Sequence, residues 1–177
     1  MNSNPLIPVW DAYNASKDAF RITKKAVKHS DKVILLKKTK FRLQSITDVE
    51  TSITQSAKIT EDLFVLSLWS THERFVRIYL QQKGATLQAI QPTVLAPPMY
   101  TYFCDEVEFW KPNQILDLLK KTLFMTDSHL IGQAKQILAY RDWIAHGKNP
   151  DKRLSSNITA PFAYKVLNEI VETLLLN

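Results

Sequence analysis

The stretch Ala139–Lys148 carries an arginine, a carboxylate and a histidine within six residues: Arg141, Asp142 and His146. Apolar residues recur around Arg141 at helical spacing, which predicts that its guanidinium lies in the apolar stripe of a helix. A guanidinium is always charged, so a fold that buries it has to supply an anion. His146 follows Asp142 by one helical turn, where a carboxylate stabilises an imidazolium. An arginine to bind phosphate and a histidine to move protons are the groups needed to cleave RNA without a metal, with the 2′-hydroxyl attacking its own phosphate.

A second charged residue in an apolar stripe, Glu73, predicts which anion pairs with Arg141. Glu73 stands in an apolar seam with three- and four-residue spacing, whose other members are Leu66, Trp69, Val76 and Leu80. A buried glutamate is as costly as a buried arginine unless the two meet. The sequence therefore predicts a Glu73–Arg141 pair between two helices. The pair has two interpretations, a structural ion pair or part of a site, and Asp142 and His146 are explained only by the second.

The composition predicts an all-α protein. Of 177 residues, 45% are hydrophobic and 23% charged, as in ordinary globular domains, and only 3 are glycine. The scarcity of glycine and of turn clusters argues against a β-sandwich or barrel. We expect a single domain, residues 1–177, folded as an up-and-down helical bundle, with a basic N-terminal helix and connector over 1–59 and the motif-bearing bundle over 60–177.

Periodicity predicts five helices. The first is a long amphipathic helix over about 9 to 46, followed by a polar connector (47–59) and a second helix from Thr60 to Lys83 that Gly84 ends. Residues 85–111 are predicted to be a proline- and aromatic-rich loop. A third helix runs from 112 or 113 to 124, a fourth starts near 127 and ends at Gly147, and Thr159 caps the last. Residues 151–157 are predicted to be a polar loop.

Charge and aromatic residues leave two partner interpretations open. The net charge is +6, and nine basic residues crowd positions 21–42. They suit a polyanionic partner such as RNA, or they form a solvated face. The aromatic side chains of 85–111 could stack on bases or could fill the end of the bundle.

The cysteine and histidine content and the apolar segments bear on the cellular compartment and on possible cofactors. The single cysteine, Cys104, excludes an internal disulfide and is typical of a reducing cytoplasm. With one cysteine and few histidines, neither a zinc site nor another cofactor is expected. The N-terminus lacks the pattern of a secretory signal, and no apolar stretch is long enough to cross a membrane.

Three segments together resemble the HEPN family. Arg141–His146 is similar to the Arg-polar-x3-His motif of HEPN domains, including the frequent Ala-His-Gly ending. The helix with Trp69 and Glu73-Arg74-Phe75 resembles the HEPN helix whose acidic residue faces the arginine. Thr159–Leu167 resembles the opening of the final helix in HEPN proteins of the RiboL-PSP type. The likeness covers about 60 to 177.

The resemblance implies an all-α bundle that dimerises so that two Arg-His motifs share one cleft. It implies a metal-independent endoribonuclease, typical of toxins and antiviral defence systems, that leaves a 2′,3′-cyclic phosphate. By position, Arg141 would bind the phosphate, His146 act as acid or base, Asp142 tune His146 and Glu73 orient Arg141. Three residues within or beside the motif are candidate substrate contacts: Tyr140, Trp143 and Lys148. An antitoxin or other operon partner is also implied. The alternative is a non-catalytic HEPN module that binds RNA, nucleotide or a partner protein.

Overall fold

A computed structural model describes residues 3–149, 151 and 158–177. These residues form an all-α helical bundle, which confirms the predicted fold class. The described helices are α1 (Ile7–Lys28), α2 (Lys32–Leu35), α3 (Ile46–Lys83), α4 (Ala96–Phe109), α5 (Pro112–Lys121), α6 (Ser128–Ala145) and α7 (Ala160–Leu176). Two short 3₁₀ helices, Gly84–Ala89 and Thr93–Leu95, connect α3 to α4. Apart from Asp151, the predicted loop 151–157 lies outside the described residues.

The 38-residue helix α3 is the centre of the fold. It packs against α1, α4, α6 and α7, and α5 packs against α6. The main core forms where the apolar faces of these helices meet, and its largest fully buried side chains include Trp69, Phe75, Leu116, Ile131, Ile137, Leu167 and Ile170. Because α3 and α6 both line this core, Glu73 and Arg141 are brought to one place.

The predicted N-terminal helix over 9–46 is wrong in its extent. Helix α1 ends at Lys28, because His29 is extended (φ −78°, ψ 148°) and the next residues form a turn. The apolar residues keep their helical spacing past this break, but the chain changes direction there. Ile34, which a continuous helix would bury, is therefore 74% exposed.

The predicted connector over 47–59 is helical, and the predicted helix start at Thr60 is wrong. The side chain of Ser45 caps α3 by accepting a hydrogen bond from the Asp48 backbone N–H at 3.1 Å, and the Ser45 hydroxyl donates to the Asp48 carboxylate at 2.6 Å. This reciprocal cap resembles the capping-box pattern and was readable from the sequence. The cap residue stands fifteen positions before Thr60.

The N-terminal part of α3, the C-terminal part of α1 and the short α2 with the residues up to Arg42 form one end of the bundle, here called the tip, with its own small core. Four buried residues make up this core: Val27, Leu36, Val49 and Ile53. They form a cluster separate from the main core. The bundle therefore has two unequal apolar centres joined by α1 and α3.

The predicted loop over 85–111 is largely helix α4. Pro97 and Pro98 stand in its first turn, where the missing N–H groups would be unpaired in any helix. Gly84 ends α3 as predicted, but with φ −66° rather than a left-handed conformation. Its role is close packing, because a Cβ on Gly84 would lie 2.2 Å from the Phe103 ring.

The starts of the C-terminal helices match their predictions, but α5 ends at Lys121 rather than at Phe124, because residues 122–124 form a turn that leaves Leu123 exposed. Helix α5 starts at Pro112, α6 has Asp127 at its N-cap position, and Thr159 caps α7 by accepting from the Phe162 N–H. Within the described ranges, no helix is long and apolar enough to span a membrane.

Candidate active site

The end of α6 positions the candidate histidine. His146 is the C-cap residue, and Gly147 follows it with φ +76°. The Gly147 N–H donates to the Ile144 carbonyl at 3.0 Å, and the Lys148 N–H donates to the Trp143 carbonyl at 2.8 Å. These two bonds form a Schellman motif, as the sequence Ala-His-Gly predicted. The His146 side chain is left exposed at the helix end.

Arg141 lies between two carboxylates at the edge of the core. Its Nη2 donates to Glu73 Oε2 at 3.0 Å, across from α6 to α3, as predicted from the two apolar seams. Its Nη1 donates to Asp142 Oδ1 at 2.7 Å. The side chain is 27% exposed, so the guanidinium is half-buried and still reachable from solvent. The face of the Trp69 ring lies 5.8 Å from the guanidinium carbon.

Glu73 holds Arg141 through a shared carboxylate. Besides Arg141, its oxygens accept hydrogen bonds from Trp69 Nε1 at 2.8 Å and from Arg77 Nη2 at 2.7 Å. Burial acts to raise the pKa of Glu73, but the hydrogen bonds from Arg77 and Trp69 and the charges of both arginines outweigh it, so the pKa is lowered. The carboxylate is therefore fixed in its ionised form.

Arg77 is a buried member of this network that the sequence analysis missed. Its guanidinium donates to Glu73 and to three main-chain carbonyls after α4 and in its last turn, those of Val107, Glu108 (3.1 Å) and Trp110 (2.9 Å). Only 8% of the residue is exposed. The four-residue spacing from Glu73 was the available signal. Arg77 thereby joins α4 to the acid that orients Arg141.

Asp142 was expected to lie against His146, but its side chain does not contact that residue. Its carboxylate is hydrogen-bonded to Arg141, and in the described residues no side-chain hydrogen bond or ion pair joins it to His146. The His146 backbone N–H still donates to the Asp142 carbonyl at 3.0 Å, so the helix continues to this point, but the Asp142 carboxylate is turned to the Arg141 guanidinium instead. Asp142 is positioned to compete with an incoming anion for Arg141.

The three candidate substrate contacts, Tyr140, Trp143 and Lys148, have different environments. The Tyr140 ring is buried and its hydroxyl donates to Asp62 Oδ1 at 2.8 Å; burial and this carboxylate raise the pKa of Tyr140. Lys148 forms an ion pair with the other oxygen of Asp62. Trp143 is half-buried, and its Nε1 donates to the Asn149 carbonyl at 2.9 Å. Tyr140 is thus directed into the fold, whereas Trp143 and Lys148 remain partly accessible beside the motif.

His72 is a second buried group that the sequence analysis missed. It lies next to Glu73 on α3, is 2% exposed, and neither ring nitrogen has a hydrogen-bond partner among the described residues. Burial lowers the pKa of His72 to about 4, although the charge of Glu73 opposes this. His72 is therefore neutral near pH 7, and its position inside the core separates it from any proton transfer at the surface.

The arrangement can bind an anion and exchange a proton at an open surface. A groove of about 300 Å³ lies beside Glu73 and Arg77, lined also by Ser70, Arg74 and Glu108, but neither Arg141 nor His146 lines it. In the part of the chain that the structure describes, no cluster of three His, Cys, Asp or Glu residues could hold a metal ion.

Comparison of the chain with protein-family models, curated proteins and solved structures found no match. The arrangement of side chains is therefore the basis for inferring function.

Proposed function

We propose that this protein is a metal-independent endoribonuclease of the HEPN type, acting as a toxin or antiviral defence effector in the cytoplasm. The observation that carries the proposal is the half-buried Arg141, held by Glu73 of another helix and followed at the same helix end by the exposed His146. The Arg-x4-His spacing and the acid on a separate helix are the features that the resemblance to HEPN domains requires.

The geometry of Arg141 supports binding of a phosphate. A guanidinium has five N–H donors, and the contacts to Glu73 and Asp142 use two of them. Glu73 is the more buried acid and its pKa is lowered, so it keeps Arg141 in place. Asp142 is 48% exposed and can turn to solvent when an anion arrives. A bidentate contact to two phosphate oxygens would then replace it.

The reaction that fits these groups is transesterification within RNA. The 2′-oxygen forms a bond to phosphorus while the bond to the 5′-oxygen breaks. One imidazole accepts the proton of the 2′-hydroxyl, another group protonates the departing 5′-oxygen, and Arg141 stabilises the charge on the non-bridging oxygens. The products are a 2′,3′-cyclic phosphate and a 5′-hydroxyl. In a homodimer, the His146 residues of two copies would supply the base and the acid.

Replacing His146 tests the chemistry. His146→Ala should reduce cleavage of single-stranded RNA roughly a hundred- to ten-thousand-fold, the usual contribution of a positioned acid or base. Because the side chain is exposed, thermal unfolding should be unchanged. Wild-type cleavage should persist in EDTA, leave a cyclic phosphate, and spare DNA of the same sequence, which lacks the 2′-hydroxyl. His29→Ala is the matched control, since His29 is also exposed but lies outside the site. Full activity of His146→Ala, or a need for metal, would refute the mechanism.

One observation favours a second candidate, a non-catalytic module that binds RNA, nucleotide or a partner antitoxin. Arg141 is already neutralised by two carboxylates, as a structural ion pair would be. A well-folded dimer that binds RNA and cleaves none would support this candidate. Binding that weakens as salt rises would identify phosphate contacts, including those from the basic residues of positions 21–42.

A further inference from the structure

An apolar pocket lies on the face of α4, away from the residues proposed for catalysis. It has a volume of about 590 Å³ and is lined mainly by apolar side chains, among them Leu87, Met99, Tyr102, Phe103 and Trp110. The Phe103 ring rests against Gly84, where a Cβ would not fit, and the Trp110 carbonyl accepts from Arg77. The pocket is therefore built on fixed elements of the fold rather than on loop ends.

One carboxylate, that of Glu106, lines this pocket, and it belongs to a helix rich in acidic residues. Helix α4 carries Asp105, Glu106 and Glu108 and has no lysine or arginine between 96 and 109. Glu108 is paired with Arg74, but in the described residues no ion pair involves Asp105 or Glu106, and Glu106 lines the pocket. In a chain whose net charge is +6, this combination suits an aliphatic group that is flanked by positive charge.

The tip offers that chemistry. Val33, Ile34 and Leu35 are exposed by 47%, 74% and 56% of their surface. Four basic residues follow at once, all exposed and none in an ion pair among the described residues: Lys37, Lys38, Lys40 and Arg42. RNA would use these charges, but it would leave the three aliphatic side chains in water. The exposed aliphatic group therefore calls for an apolar acceptor.

We propose that the tip of one copy, Val33–Leu35 with its flanking lysines, docks into the α4 pocket of a second copy. The aliphatic side chains fill the apolar pocket and the lysines lie against Glu106. Both surfaces belong to the same chain and both stay exposed in it, so each copy offers one tip and one pocket. The charge of the tip matches the charge of the pocket edge, which a neutral apolar partner would not do.

This contact is heterologous, because the two copies use different surfaces. A heterologous contact does not close on itself in a pair and extends into chains or rings. The tip is small compared with a standard interface, so the association is weak and depends on concentration. It uses neither Arg141 nor His146, so association can be measured apart from the proposed cleavage reaction.

Two variants that block opposite halves of the contact give the test. Ile34→Asp places a negative charge in the aliphatic group of the tip. Met99→Asp, at a residue that is 45% exposed, places one in the pocket without touching the core. In sedimentation velocity at high micromolar concentration, the weight-average mass of the wild type should rise with concentration, and each variant alone should lose this rise. An equal mixture of the two variants should regain a larger mass, because the intact pocket of one accepts the intact tip of the other. High salt should weaken the wild-type association.

A control variant separates this contact from nonspecific association through exposed apolar side chains. Met125→Asp, at another exposed apolar residue that lies outside both surfaces, should associate like the wild type. If Met99→Asp fails to fold by circular dichroism, Glu106→Lys blocks the pocket by charge instead, and Lys37→Glu is its complementary partner. A mass that is independent of concentration in the wild type, or a mixture that behaves like the separate variants, would overturn the proposal. Binding of the tip to phosphatidylserine vesicles without any self-association would overturn it as well.

Discussion

The carboxylate of Glu73 accepts hydrogen bonds from Trp69 and Arg77 of α3 and from Arg141 of α6. Glu73→Gln keeps the shape of the side chain but leaves two guanidinium groups without their shared anion. Breaking such a partly buried pair should cost about 3 kcal/mol of unfolding free energy. Cleavage should fall more than RNA binding, because the variant loses the group that orients Arg141. Urea unfolding measured beside RNA cleavage would separate the two effects.

The lowered pKa of Glu73 predicts that the stability of the protein changes with pH in the acidic range. Because the folded pKa of Glu73 is lowered from its ordinary 4.5, its contribution to stability is complete above that value and is lost as the pH falls through the folded pKa. The difference in unfolding free energy between wild type and Glu73→Gln should therefore shrink below about pH 4.5. Equal stability of the two proteins at pH 7, with normal cleavage, would show that Glu73 does not hold the arginine.

His72 predicts a separate effect at higher pH. Its pKa is about 4 in the folded protein against an ordinary 6.5, so the unfolded chain takes up the proton first as the pH falls. Stability should then decrease between pH 6.5 and 4 by about 3 kcal/mol, the free energy of this pKa difference. His72→Leu removes both the titration and two unpaired nitrogens, so its unfolding free energy should be nearly flat from pH 6.5 down to about pH 5, above the range where Glu73 is protonated. A wild-type slope that persists in His72→Leu would assign it to another group.

Alanine substitution of the glycine within α6 and of the glycine just after it should change the unfolding free energy in opposite directions. Gly132 is exposed within the helix, and a Cβ there would meet nothing within 4 Å, so Gly132→Ala should raise the unfolding free energy by about 0.5–1 kcal/mol. Gly147 has φ +76°, where an alanine is strained, so Gly147→Ala should lower it by about 1 kcal/mol. It should also slow cleavage, because the Schellman bonds that follow His146 would be disturbed. Thermal unfolding of both variants is the measurement, and each serves as the control for the other.

The proposed shared cleft requires a homodimer, and α6 offers a face for it. Gly132, Gln136 and Ala139 are exposed along this helix, and α1 does not cover them because it packs against α3. Two of the three, Gly132 and Ala139, are small, which allows two helices to approach closely. In light scattering at low micromolar concentration, below the range of the tip–pocket contact, Ala139→Glu should therefore be a monomer, and it should lose cleavage while staying folded. Gln82→Glu, also exposed but at the end of α3, should leave both unchanged. RNA cleavage by a wild-type monomer would contradict the shared cleft.

Local patterns were sufficient for the helical class and for the central pair. Apolar spacing of three and four residues follows from helix geometry, and two such seams each contained a single charge, which predicted the contact of Glu73 with Arg141. The caps at Thr159 and Gly147 were equally readable, because they depend on neighbouring backbone groups. The cap at Ser45 carried the same kind of signal, and its pattern with Asp48 would have placed the start of α3.

Long-range packing decided the rest. Ile34 continues the spacing of α1 and is nevertheless exposed, because the chain turns at His29 and no described helix covers the tip. Arg77 is buried because the carbonyls at the end of α4 come to its guanidinium, from a segment about thirty residues away. Asp142 had both Arg141 and His146 within reach and pairs with Arg141, which Glu73 of α3 holds from the other side. A helical period is set by the backbone of a few residues, whereas the partner of a charge depends on which distant groups the whole fold brings to it.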